Sequence, residues 1–295
     1  MTRWLLAIAA VVLSGCSLLP EIAHQPTLHN PYPQLSKVAV APFFNLSNEP
    51  TLDGRRFALA YFNELQQVPG YEVVPIGTVE QAIKDLNLKL TGPDDARKLG
   101  QALGVDAVVI GAVTDYSPYY PPRCALQVEW YAANAGFHPI PPGYGLPWGT
   151  PGEQDIPSPV IFEAEMALAK AQLATQTPSC REAGQSKPPE TPQPWPDPKG
   201  LVPPPPASQP PTCWPQSGPV MRHTQVYNGN DGKFTEALAT YYYFQDDARF
   251  GGWQSYMQRS DDFIRVCCRM HIWEMLSARG GAGESRVVWR WSGVR

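Results

Sequence analysis

Cys267 and Cys268 stand just ahead of His271 in the segment Cys267-Cys268-Arg269-Met270-His271. Cys267 and His271 are at i and i+4, on one face of a helix, and both side-chain types bind zinc. No second pair at metal-ligand spacing accompanies them, and Cys267 also fits an apolar stripe, where a thiol acts as a small hydrophobe. No metal is therefore expected. Asp246-Asp247 and Asp261-Asp262 are paired carboxylates, suited to acid–base work or to an oxygen-ligated calcium ion. One pair follows a helical stripe and the other opens one, and solvated capping accounts for both. Asn228-Gly229-Asn230-Asp231-Gly232 lacks the spaced acids and closing Glu of a calcium loop and reads as a turn. The sequence contains no Gly-x-Ser-x-Gly elbow, phosphate loop or His-Glu-x-x-His, and His24, His29, His138, His223 and His271 are scattered. No catalytic residue and no cofactor are expected, and a hydrolase built on the aspartates ranks last among the alternatives. Aromatic residues remain. Tyr116, Tyr119 and Tyr120 lie among prolines after a strand, and Tyr241 to Phe244 are consecutive on a helix, where they cannot all face inward. Tyr116, Tyr119, Tyr120 and Tyr243 are the candidate interaction surface.

The start of the chain carries the plainest signal. Arg3 precedes an apolar run from Trp4 to Leu13, too short to span a bilayer and laid out as a secretory leader. Leu13-Ser14-Gly15-Cys16 closely resembles the bacterial lipobox. That resemblance implies cleavage before Cys16, a diacylglycerol on its thiol and an acylated amine. Two or more chains hold a protein firmly on a bilayer. Ser17 stands where an Asp retains well-studied lipoproteins in the inner membrane, so the resemblance implies a periplasm-facing outer-membrane lipoprotein.

Net charge is −4, and no basic block marks a nucleic-acid partner. Of 34 prolines, 22 lie between Pro139 and Pro219. The five cysteines after Cys16 are an odd number in an exported chain. Cys180 and Cys213 flank the most proline-rich stretch and form the candidate disulfide, the alternative being two free thiols.

The elements follow from periodicity. Residues 1–15 are the leader and 16–35 a polar tether. Lys37 to Phe43 is an apolar strand ending at proline. From Asp53 a helical stripe of Phe57, Ala60, Tyr61, Leu65 and Val68 runs to Pro69-Gly70. Tyr71 to Pro75 is a second strand. Thr78 is the expected N-cap of a short helix, Pro93 opens another and Gly104 ends it. Asp106 to Val113 is a third strand. Cys124 to Tyr131 is a further strand with Leu126, Val128 and Trp130 on one face. Residues 132–158 are loop, and the apolar segment 160–174 reads as a strand beginning at Val160. Residues 175–219 form a Pro-rich insertion expected to be disordered. Met221 to Tyr227 returns to the sheet. Two helices follow, the second capped by Ser260, and Glu284 to Arg295 is an edge strand or an unattached end.

Strand, helix, strand, helix, helix, strand argues an α/β layer, with residues 36–138 and 160–174 as the α/β domain, 220–279 as a C-terminal strand and helices, and 280–295 as a tail. The opening "KVAVAPFFNLSN", then "GYEVVP" and "ARKLGQALGVDAVVIGAVTDY", resemble the small α/β domain of exported bacterial proteins. That domain occurs in the TolB N-terminal region, the curli-secretion lipoprotein CsgG and the penicillin-binding-protein activator LpoB. The resemblance spans about 80 residues and fixes a fold more than a function. The expected function is a membrane-anchored, non-enzymatic accessory protein that binds an envelope protein or the cell wall, in an oligomeric state the sequence does not fix. The alternative is an oligomeric channel like CsgG, with 123–131 and 160–174 as its spanning strands.

Overall fold

The computed structural model describes residues 21–134, 136–176, 218–245 and 250–290. Cys16, Cys180, Cys213, Asp246, Asp247 and nearly all of the Pro-rich segment lie outside these residues. The fold is α/β. Strands β1 (Glu21–Leu28), β2 (Lys37–Val40) and β3 (Phe44–Asn45) precede helix α1 (Gly54–Gln66). Strand β4 (Glu72–Val74), helices α2 (Ile76–Asp85) and α3 (Pro93–Leu103), and strands β5 (Ala107–Ser117) and β6 (Arg123–Ala132) follow. Then come helix α4 (Ser158–Gln176), strand β7 (Met221–Asn228), helices α5 (Gly232–Phe244), α6 (Ser255–Gln258) and α7 (Ser260–Ser277), and strand β8 (Ala282–Arg290).

The main sheet has the order β4-β2-β5-β6-β7, with β3 also paired to β5. β2 is parallel to β4 and β5, while β5-β6 and β6-β7 are antiparallel. Strand alternation divides the core. Val38 and Val40 of β2, Val109 of β5, and Leu126, Val128 and Trp130 of β6 pack with Phe57, Tyr61 and Leu65 of α1 and with Phe263, Val266 and Ile272 of α7. Ala39 and Val108, one position out of phase, join Val79 of α2 and Leu99 of α3 on the opposite face. The segment 221–228 thus returns to the sheet as expected.

Local chemistry sets the helix ends. Asp53 Oδ1 accepts the Arg55 N–H at 2.9 Å and caps α1. Pro93 opens α3, with Asp94 and Asp95 in the first turn, and Gly104 closes it at φ 60°, a left-handed conformation favoured by glycine. Gly54 is required for another reason. A Cβ there would lie 1.8 Å from the Phe43 carbonyl oxygen, so only glycine lets the loop after β2 lie against the start of α1.

Several expectations are corrected. The segment 160–174 is helical, within α4: Ala, Glu, Met, Leu and Lys are strong helix formers and outweigh the short apolar run at Val160. One of the two segments read as spanning strands is therefore a helix. Thr78 is not a cap, because α2 begins two residues earlier behind Pro75. Arg259 holds the cap position of α7 and Ser260 is its first helical residue. The segment read as a tether contains β1, whereas the tail contains a strand, β8, as one of its two readings expects; the two pair antiparallel from Glu21↔Arg290 to Leu28↔Ala282. Tyr32 and Leu35 are core residues, and the Tyr32 hydroxyl donates to the Arg279 carbonyl at 2.9 Å. Sequence periodicity near one terminus does not reveal a strand partner at the other.

Candidate binding groove

Helices α1 and α7 pack side by side, and a groove of about 360 Å³ opens where their N-termini meet the end of β5. The loop after β3 forms one wall. Asn45 Oδ1 accepts from the Ser47 N–H at 3.0 Å and the Ser47 hydroxyl at 2.7 Å, while Asn45 Nδ2 donates to the Glu49 carbonyl at 2.8 Å. This side-chain turn fixes the loop so that Glu49, Thr51 and Leu52 face the groove. The Thr51 hydroxyl donates to Glu49 Oε1 at 2.5 Å, and that hydrogen bond holds the Glu49 carboxyl below its ordinary pKa.

The opposite wall comes from the end of β5. The Tyr116 ring meets Phe57 edge-on at 5.7 Å, and burial pushes its phenol pKa up. Tyr119, 78% exposed, stands beside it, with Tyr120 next along the chain and similarly exposed. Phe57 and Ile264 supply an apolar floor. Arg56 of α1 bridges to α7. Its Nε donates to Asp261 Oδ1 at 3.0 Å, and its guanidinium also reaches the Ser260 hydroxyl at 3.0 Å. Both Arg56 and Asp261 are largely exposed, and such pairs are worth about 0–1 kcal/mol. The pair thus does more to set charge at the groove than to hold the fold. Past it the seam continues as a second depression of about 250 Å³ beside Leu59, Asn63 and Arg265.

The sequence-predicted residues divide. Tyr116 and Tyr119 come together at the groove. Tyr243 is half-buried and stacks edge-on against Phe244 at 5.1 Å, on a helix whose neighbouring Tyr241 and Tyr242 pack on Tyr256. Asp261 is ion-paired with Arg56, and Asp262 lines the second depression. Arg56, Leu52 and Ile264 escaped the sequence reading. The only signal was the exposed face of α1, and its partner helix lies about 200 residues away.

Cys267 and His271 are core residues. The Cys267 thiol lies against Cys124 of β6, and burial pushes its pKa well up. His271 Nε2 donates to the His223 carbonyl at 3.2 Å, while Nδ1 is buried and has no hydrogen-bond partner among the described residues. Burial, followed by the proximity of His223, holds the His271 imidazole well below its ordinary pKa. His223 Nε2 lies 3.2 Å from Glu274 Oε2, which also accepts from the Tyr227 hydroxyl at 2.8 Å. Among the described residues no three His, Cys, Asp or Glu side chains converge as a metal cluster.

No family model and no curated protein matches this chain. It is similar to several solved structures. Lipoprotein GNA1162 from Neisseria meningitidis is 22% identical over 33% of this chain and 72% of its own, with a TM-score of 0.28. The LpoB C-terminal domain from Salmonella enterica is 16% identical over 42% of this chain and 81% of its own, with a TM-score of 0.25. A PelC dodecamer from Paraburkholderia phytofirmans is 16% identical over 39% of this chain and 70% of its own, with a TM-score of 0.22. LpoB, one of the resemblances carried by the sequence, is thus among the structural neighbours, and at these scores none of them bears on function.

Proposed function

We propose that this chain is a lipoprotein of the bacterial envelope, acylated at Cys16 and held at the periplasmic face of the outer membrane. In this reading it is not an enzyme, and it binds another envelope component through the groove between α1 and α7. The observation that carries the reading is the composition of that groove. Exposed Tyr119 and partly buried Tyr116 stand over an apolar floor, bordered by Glu49 and by Arg56, which is paired with Asp261. Tyrosine and arginine around an apolar centre are the residues enriched at protein interfaces. The anchor adds to this, because confinement to a surface raises the effective concentration of a binder for a partner on the same surface. No helix among the described residues is long and apolar enough to cross a membrane.

A photo-crosslinking side chain at position 119 tests the reading in living cells, with position 86 as the control, since Leu86 is exposed just after α2 and does not line the groove. The expected result is a discrete adduct from position 119 that weakens when Arg56 is replaced by Glu. Equal adducts from both positions, or none from position 119, would overturn it.

A further inference from the structure

Near its free end the β1–β8 ribbon carries an exposed apolar face that no described residue covers. The ribbon leaves the body at Leu28, which is buried, and there the Thr27 hydroxyl donates to the Glu284 carbonyl at 2.7 Å. It ends at the Glu21↔Arg290 pair. Residues directly opposite in an antiparallel pair share a face, and alternate residues along a strand do too. Ile22 stands opposite Trp289, and Val287 is two positions from Trp289, so these three occupy one face near the free end. They are 54%, 61% and 46% exposed. The other face bears Arg286 opposite Gln25 and Val288 opposite Ala23.

We propose that this face, Ile22, Val287 and Trp289, lies in the headgroup zone of the phospholipid membrane that holds the anchor. The inference rests on the acylation of Cys16. Five peptide steps separate Cys16 from Glu21, and an extended chain covers at most about 3.6 Å per step, so the ribbon end stays within about 18 Å of the anchor. The headgroup region occupies about 5–8 Å on each side of the hydrocarbon core. Tryptophan is enriched at this depth, where an apolar ring with a polar N–H finds both environments. The ribbon would then act as a second foot that orients the body, where a single flexible anchor would let it tumble.

The test uses the full acylated chain in phosphatidylethanolamine–phosphatidylglycerol vesicles containing brominated phospholipid, which quenches tryptophan on contact. Wild type is compared with Trp289→Phe and with Trp148→Phe, an exposed tryptophan elsewhere. The expected result is a bromolipid-quenched signal that falls in Trp289→Phe and is unchanged in Trp148→Phe. Thermal unfolding should be the same in all three chains. A chain that is acylated and vesicle-bound but shows the same quenching with and without Trp289 overturns the ribbon proposal and leaves the anchor intact. A mass showing no acyl group overturns the anchor, and the ribbon proposal with it.

Discussion

His271 illustrates how residue type alone misleads. Its spacing from Cys267 is that of a ligand pair, yet α7 turns both into the core, where the imidazole faces Tyr61 and His223. Its proton balance still has a consequence. Burial holds the folded pKa well below that of the free side chain, so the unfolded chain binds more protons as pH falls through about 6.5. The stability from a neutral His271 is therefore present above that value and lost progressively below it. Stability at pH 5.5 is therefore expected to be lower than at pH 7. Denaturant unfolding at the two pH values should show this drop in wild type and less of it in His271→Gln, after allowance for the variant's own stability. An equal drop in both would remove His271 as the cause. Arg279 is the contrasting buried group. Its guanidinium donates to the carbonyls of Ile140 at 2.8 Å, Met275 at 2.8 Å and Arg222 at 3.1 Å. Burial lowers its pKa to about 10, which leaves it charged at neutral pH. It ties the loop after β6, the end of α7 and strand β7 together, so its role is architectural. Nothing in the sequence around Arg279 distinguishes it from the other arginines, because all three acceptors are backbone atoms supplied by the fold.

At the scale of elements, Gly54 gives the sharpest expectation. Gly54→Ala sets a methyl against backbone that cannot swing aside, and should cost about 2 kcal/mol or more. Gly77, near the start of α2, has open space where a methyl would point, and Gly77→Ala should be neutral or stabilise by up to about 1 kcal/mol. Urea unfolding of the two variants checks both signs, and equal effects would contradict the packing of the β2 loop on α1. The strand–helix alternation between residues 37 and 113 was legible because each element carries its own signal: an apolar stripe from Asp53, Pro93 as a start and Gly104 as a stop, valine runs as buried strands. The errors fall where the signal is not local. α4 is apolar around much of its circumference and leaves Phe162, Met166 and Leu168 exposed, so periodicity offered no face by which to recognise a helix. β1 and β8 are polar enough to read as tether and tail, and only their pairing across the whole chain makes them strands. The groove was half legible for the same reason: Tyr116 and Tyr119 could be singled out, while Arg56 and Ile264 become neighbours only when α1 meets α7.

On the scale of the whole molecule, the fold pairs its first described strand with its last. β1 and β8 emerge as one ribbon next to the segment that joins the body to Cys16, and the groove lies at the N-terminal ends of α1 and α7. The proposed function, a body fixed at the membrane by lipid and presenting a groove to other envelope components, unites these features. Its placement depends first on what happens at Cys16. The most direct measurement is the intact mass of the mature protein extracted from membranes, beside a Cys16→Ser variant. The predicted result is a wild-type chain that begins at Cys16 and carries a diacylglycerol and a further acyl group, and a variant lacking both. A membrane-extracted wild-type chain that keeps residues 1–15, or starts elsewhere without lipid, would contradict it.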